Sequence, residues 1–281
     1  MEFFIAIFSG IVLGLFSNFI LDYLPFGRVL ENRKIRQMKI KEGVTTVQFS
    51  IKQYMQFKTT TLFEELKFPY CHQCYQQRSW GDYLAAKKCV HCQEHPPKRF
   101  WVVLLNLPAA FLILTIFPVL EFRIVDMFLL LTFYLIVFIM DVEHRVILFP
   151  ITVAGILFGI YFGLSYHSFV STLIGALVGG GIMLLFYWIG ILYIQYVRKT
   201  SDPDMNEVAL GFGDVSLSFI LGLILGWPGI LGGLFFGILL GGIISGVLLL
   251  FKFLTKKYAP NDLILPYAPF LIIGAFIIML M

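Results

Sequence analysis

The chain has 281 residues, of which 59% are hydrophobic and 14% charged, with a mean hydropathy of +0.86. Soluble domains carry about 45–50% apolar and about 25% charged residues, so these values exclude an ordinary soluble globule and indicate several passes through a bilayer. The formal net charge of +4 becomes informative only when it is mapped along the chain.

The first apolar run, 3–24, has Glu2 as its only early charge and no clear small-residue cleavage site. It is therefore read as a retained span and not as a signal peptide. Asp22 near its end has two readings, a pair with a cation of the following loop or a carboxylate reaching for the interface. Residues 26–100 form a polar segment with fourteen of the 21 Lys and Arg against six acids, a local charge of +8. A basic nucleic-acid-binding segment is the competing reading. A cytoplasmic loop obeying the positive-inside rule fits better, so no nucleic-acid partner is expected.

Inside this loop, Cys71-His72-Gln73-Cys74 is followed by Cys89-Val90-His91-Cys92. Two CxxC pairs supply the four thiolates that tetrahedral Zn²⁺ takes, and all four cysteines of the chain are used. A structural disulfide is disfavoured in the cytoplasm, and a redox dithiol would need only one pair. His72 and His91 are expected outside the ligand set, because Cys71, Cys74, Cys89 and Cys92 fill it.

Seven more apolar runs follow, at about 101–120, 124–140, 147–164, 169–196, 215–227, 229–251 and 263–281. Together with the first they predict an all-α polytopic membrane protein of about eight spans. The parts are a first span (1–25), a cytoplasmic loop with a zinc site (26–100) and a seven-span core (101–281). The run 215–227 is short, about 20 Å as a helix, and has a re-entrant segment as its alternative. Trp227-Pro228-Gly229 marks its turn into the next run, and the glycines at 175, 179, 232, 233, 237, 241 and 242 suit close helix packing in lipid. No phosphate-binding glycine loop or hydrolase nucleophile motif stands out.

A cytoplasmic 26–100 loop places the N-terminus outside, with turns near 121–126, 165–168 and 227–229 outside as well. The loops at 141–145, 198–214 and 252–262 are then inside. This alternation leaves only Arg123 of the 21 basic residues outside. It also brings Asp141, at the end of the third run, and Asp214, at the start of the sixth, to the same side and depth. Ionisable residues at such positions are usually functional. Gly211 and Gly213 beside Asp214 permit a bend or a close approach. Two adjacent carboxylates do not both ionise readily and share a proton; one then activates water while the other polarises a carbonyl. The competing reading is a pair of boundary acids solvated by headgroup water.

At this point the residues resemble those of the type IV prepilin peptidases, the polytopic GxGD aspartyl proteases of bacteria. Gly14-Leu15-Phe16-Ser17-Asn18-Phe19 through Leu24-Pro25 is similar to the first-span motif, usually GSFLNVVIYRLP. The CxxC pairs match the family's cytoplasmic loop in place and order. Asp141-Val142-Glu143-His144-Arg145 resembles the first catalytic motif, and Gly211-Phe212-Gly213-Asp214-Val215 matches the GxGD core of the second. Leu265-Pro266-Tyr267-Ala268-Pro269-Phe270-Leu271 resembles the last-span motif, usually PFGPFLA. The resemblance implies Asp141 and Asp214 as the catalytic pair and a location in the bacterial inner membrane. It implies a prepilin or pseudopilin substrate, part of a pilus or type II secretion system, cut where its basic leader meets its apolar helix. In many members it further implies N-methylation of the product with S-adenosylmethionine.

The chain departs from the family pattern at several places. Ser216 stands where a lysine is usual, Ile147-Leu148-Phe149-Pro150 replaces an Ile-Pro-Asp ending, and Asp22 and Tyr23 stand in place of the usual arginine. Residues 30–68 are a longer insertion than expected. On the span after the cysteines, where a glutamate linked to methylation is common, there are only apolar residues with Asn106 nearby. Glu143, His144 and Arg145 are read as a solvated loop tip or as groups tuning Asp141. Asp202, Asp204 and Glu207 are read as ordinary loop acids or as attractors of a basic leader. The alternatives to a leader peptidase are a transporter using Asp141 and Asp214 as proton or cation sites, and a catalytically weak scaffold of a pilus or secretion system.

Overall fold

The computed structural model describes residues 3–22, 69, 71, 78–93, 95, 97–116, 122–145, 147–200, 211–255 and 266–281. His72, Cys74, most of the basic loop including 30–68, and Asp202, Asp204 and Glu207 lie outside the described residues. Among the described residues there are nine helices and no strand. They are α1 (Phe3–Asp22), α2 (Trp80–Leu84), α3 (Lys98–Ile116), α4 (Ile124–His144), α5 (Phe149–Tyr166), α6 (Phe169–Thr200), α7 (Phe212–Leu225), α8 (Gly229–Thr255) and α9 (Ala268–Leu280). Six of them, α1, α3, α4, α5, α6 and α8, are long and apolar enough to cross a membrane. The chain is thus a multi-pass helical membrane protein.

Two of the apolar helices are short. α7 has 14 residues and α9 has 13, about 21 and 20 Å against a hydrocarbon core of about 30 Å. The short sixth run was expected, but the apolar run 263–281 read as a longer helix than it forms. Pro269 lies in the first turn of α9, where a missing N–H costs nothing, and the helix begins only at Ala268. The third run begins at Ile124, as read, so Asp126 lies in the first turn of its helix, where a carboxylate suits the helix dipole.

The chain divides into two compact units, Met1–Pro118 and Val119–Met281. In the first, α1 packs along α3. Asn18 donates from Nδ2 to the Gly14 carbonyl at 3.1 Å and to the Phe100 carbonyl at 3.2 Å. At the end of α1, the buried Asp22 pairs with Arg99 at the start of α3 and accepts from the Tyr83 hydroxyl of α2 at 2.9 Å. Of the two readings of Asp22, the cation pair is the one the fold adopts. Phe19 against Trp80 and Tyr83 edge-on to Phe100 complete the attachment of α2.

In the second unit, α6 and α7 run antiparallel with their backbones in contact. A Cβ at Gly175 would stand 2.5 Å from the Gly222 carbonyl, and one at Gly222 would collide with Gly175 in turn. Without a hydrophobic drive between helices in lipid, such close approach is what holds them together. α7 ends at Gly226, whose φ of +64° needs glycine, and Ser171 of α6 ties the following turn by accepting from the Trp227 N–H and donating to its carbonyl. α8 pairs with α9 in the same antiparallel manner, and α9 also packs on α4 and α7. This last arrangement sets α9 beside the helices that carry Asp141 and Asp214.

Candidate functional site

Asp141 lies in the last turn of α4 and is 6% exposed. The charged run Glu143-His144-Arg145 ends the apolar stretch. Arg145 closes the helix in a left-handed conformation and donates its N–H to the Asp141 carbonyl at 2.8 Å. The Asp141 carboxylate accepts the N–H of Ala268 at 2.9 Å, across 127 residues of chain. Ala268 is the first residue of α9, so its N–H has no partner within its own helix. Asp141 therefore caps α9 from outside, where the positive end of the helix dipole favours a carboxylate.

Asp214 is built the same way on another helix. It is the third residue of α7, 9% exposed, behind the N-cap Gly211. Its carboxylate draws on the Gly211 N–H, the reach-back of a capping box performed with a short side chain. Gly213 allows the start of α7 to lie against α5: a Cβ there would stand 3.2 Å from Ile147 Cβ. Each buried acid is thus held by a backbone amide at a helix N-terminus. The charge of Asp141 reaches Asp214, and that of Arg145 reaches Asp141. One expectation about this segment has a direct outcome. Ser216, in the position of the usual lysine, turns its hydroxyl back to the Phe212 carbonyl of its own helix at 3.3 Å.

Tyr267, named above only as part of the last-span motif, adjoins the amide that holds Asp141. It is the N-cap of α9, next to Ala268, and the charge of Asp214 reaches its hydroxyl. Its ring lies edge-on to Phe270 and against Gly241 of α8. Its signal in the sequence was its place in the last-span motif Leu265–Leu271.

The cysteines form the other cluster, in the first unit. The sulfurs of Cys71, Cys89 and Cys92 lie within 4.8 Å of one another, with Cys71 and Cys92 3.7 Å apart. Four sulfurs at about 2.3 Å from Zn²⁺ in a tetrahedron are about 3.8 Å apart, so these three fit such an ion. Cys71 and Cys89 are buried. His91 is exposed and outside the cluster. The strands of loop are tied by the Arg78 N–H to the Pro69 carbonyl at 2.8 Å and by the Arg78 guanidinium to the Lys87 carbonyl at 2.5 Å. Burial, with the Asp22 carboxylate beside it, holds the Tyr83 phenol far above its ordinary range, so it stays a donor. The Ser79 hydroxyl bonds the Asp82 carboxylate at 2.7 Å and holds its pKa below the usual value.

Fold and site together define a helical, multi-pass membrane protein with a buried pair of acids at two helix N-termini. Residues 128–246 match the model of the type IV leader peptidase family. The likeness to prepilin peptidases read from the motifs therefore holds for the stretch that carries Asp141 and Asp214, and it supports a peptidase. No curated protein and no solved structure gives a match.

Proposed function

We propose that the protein is an aspartyl endopeptidase that removes the basic leader of type IV prepilins or pseudopilins in the bacterial cytoplasmic membrane. The observation that carries this reading is two buried carboxylates, Asp141 and Asp214, on helices far apart in sequence that both pack on α9. One acid takes a proton from water as the water oxygen attacks the scissile carbonyl carbon; the other, protonated, polarises the carbonyl oxygen. Collapse of the tetrahedral intermediate breaks the C–N bond, and the departing amine takes up a proton. The Ala268 and Gly211 amides fix each carboxylate while leaving the rest of it open to reactants.

The charge distribution supports a cytoplasmic placement of the 26–100 loop and of the acid pair, where a basic leader would be held while its apolar helix stays in lipid. Zn²⁺ on Cys71, Cys89 and Cys92, with Cys74 as fourth ligand, would serve as a staple of that loop, supplying folding energy and no chemistry. Metal analysis is expected to find about one Zn²⁺ per chain, lost in Cys71→Ser; a metal-free, folded wild type speaks against the staple. N-methylation of the new N-terminus with S-adenosylmethionine is a second activity that the resemblance implies, decided by a methyl-transfer assay on cleaved product.

The test of the main reading is cleavage of a prepilin-like substrate by purified wild type, Asp141→Asn and Asp214→Asn. Cleavage retained in either variant sinks the acid-pair mechanism. A wild type that cleaves no substrate of this class returns the protein to the transporter and scaffold readings.

A further inference from the structure

A hydroxyl inside a helix has a ready partner in the carbonyl four residues earlier. Ser17, Thr132, Thr172 and Ser216 all donate to it, at 2.7, 2.7, 3.1 and 3.3 Å. Ser218 does not. It is fully buried in the middle of α7, and its hydroxyl has no hydrogen-bond partner among the described residues. Such a buried, unpaired group is destabilising. Helix packing gives no reason for it, because α6 meets this point of α7 at the backbone: a Cβ at Gly179 would stand 2.5 Å from the Ser218 carbonyl oxygen. The place of Ser218 in the helix does give a reason. It stands four residues after Asp214, and positions so spaced share one helix face with their Cβ atoms about 5–6 Å apart. Side chains lean toward the N-terminus of their helix, so the Ser218 hydroxyl lies on the Asp214 side of its own turn. Ser216, two residues after Asp214, stands on a different face and is bound to the Phe212 carbonyl. The Asp214 carboxylate draws on the Gly211 amide and retains lone pairs for a second donor.

We propose that Ser218 is a positioning residue for Asp214, its hydroxyl swinging to donate a hydrogen bond to the carboxylate while that acid is ionised. Gly211 and Ser218 then hold the group from the two sides of one helical turn, and the serine keeps its own proton throughout. The part this plays in cleavage rests on the endopeptidase reading; the bond between the two residues does not. The charged and titratable groups whose fields meet that of Asp214 are Asp141 from α4 and Tyr267 from α9. Alanine at 218 leaves both in place and removes a single oxygen atom.

The experiment compares wild type and Ser218→Ala in detergent or vesicles. It reads the thermal midpoint, kcat and KM across pH with a prepilin-like substrate, and the infrared titration of the Asp214 carboxyl band, identified by its loss in Asp214→Asn. The midpoint is expected to hold or rise, because alanine buries no unpaired hydroxyl and is the better helix former. The kcat falls about tenfold, with KM within about twofold. A donor to the ionised form favours that form, so its loss moves the acid limb of the kcat profile and the carboxyl band to higher pH, by about one unit. A Ser218→Ala protein with wild-type kcat, pH profile and carboxyl band overturns this proposal alone. A lowered midpoint assigns the hydroxyl to packing and overturns it too. A wild type that cleaves no prepilin-like substrate removes the endopeptidase reading; the carboxyl band then decides on its own whether Ser218 serves Asp214, an unmoved band overturning the bond and a moved one upholding it.

Discussion

Asp126 and Asp141 stand on one helix, fifteen residues and about 22 Å apart, and both are buried. Asp126 is saturated with side-chain donors: the Tyr166 hydroxyl at 2.6 Å, the Arg123 Nε at 2.8 Å and the Tyr161 hydroxyl at 2.9 Å. These bonds join the start of α4 to the end of α5. Asp141 receives a single amide, from Ala268, and faces a second acid. A buried charge must be compensated or it is expensive. Full compensation by neighbouring side chains, as at Asp126, leaves nothing for a reactant. Partial compensation by backbone, as at Asp141 and Asp214, holds the group and leaves lone pairs open. The contrast separates a carboxylate that fastens two helices from carboxylates that suit chemistry.

Substitutions test the contrast most sharply at the acid pair. Asp141→Asn and Asp214→Asn are near-isosteric, so cleavage is expected to fall by about 10³-fold or more while the thermal midpoint moves little. A large stability loss in either variant would place these acids with Asp126. At the other end of α4 the pattern is expected to invert. Asp126→Ala removes the acceptor shared by Arg123 and two phenols and should lower the unfolding midpoint, with the cleavage rate per folded molecule preserved. Loss of activity without loss of stability would erase the distinction.

Asp22 in the first unit is a further acid with a buried side chain, compensated like Asp126 by side chains, from Arg99 and Tyr83. Tyr83→Phe removes one donor to a charge and should cost about 1.5–3 kcal/mol. Faster limited proteolysis within 78–93 is the readout, with metal content retained. Undiminished protection would show that the Cys cluster alone holds α2 in place. The smallest effect is expected from Ser216→Ala. A hydroxyl already bound to its own helix offers the acids nothing, so cleavage should stay within about twofold of wild type. A tenfold change would return Ser216 to the site.

The helices were legible because apolar runs of 18 residues or more have few alternatives to crossing a bilayer. Asp141 and Asp214 stood out for the same reason, as charges at the ends of such runs, and charge asymmetry put them on one side. Their partners were hidden. The Ala268 amide is a backbone group with no sequence signature, and it lies 127 residues from Asp141. Tyr161 and Tyr166 meet Asp126 across 35 and 40 residues, one inside a run that reads simply as apolar and one in the turn after it. Asp126 itself was not singled out, because an acid in the first turn of a span looks like an ordinary boundary charge in sequence. The three cysteines came together as their spacing required, since a metal-ligand pattern encodes its own tertiary contact.

The amide that holds Asp141 belongs to the path of the chain and not to any side chain. A scan that replaces every residue by alanine leaves it untouched, since position 268 is alanine already. Substitution profiles of this protein would therefore record the anchored acid and miss its anchor. Removing the anchor takes a change of backbone chemistry, such as an ester in place of the amide at 268, which deletes one N–H while sparing every side chain.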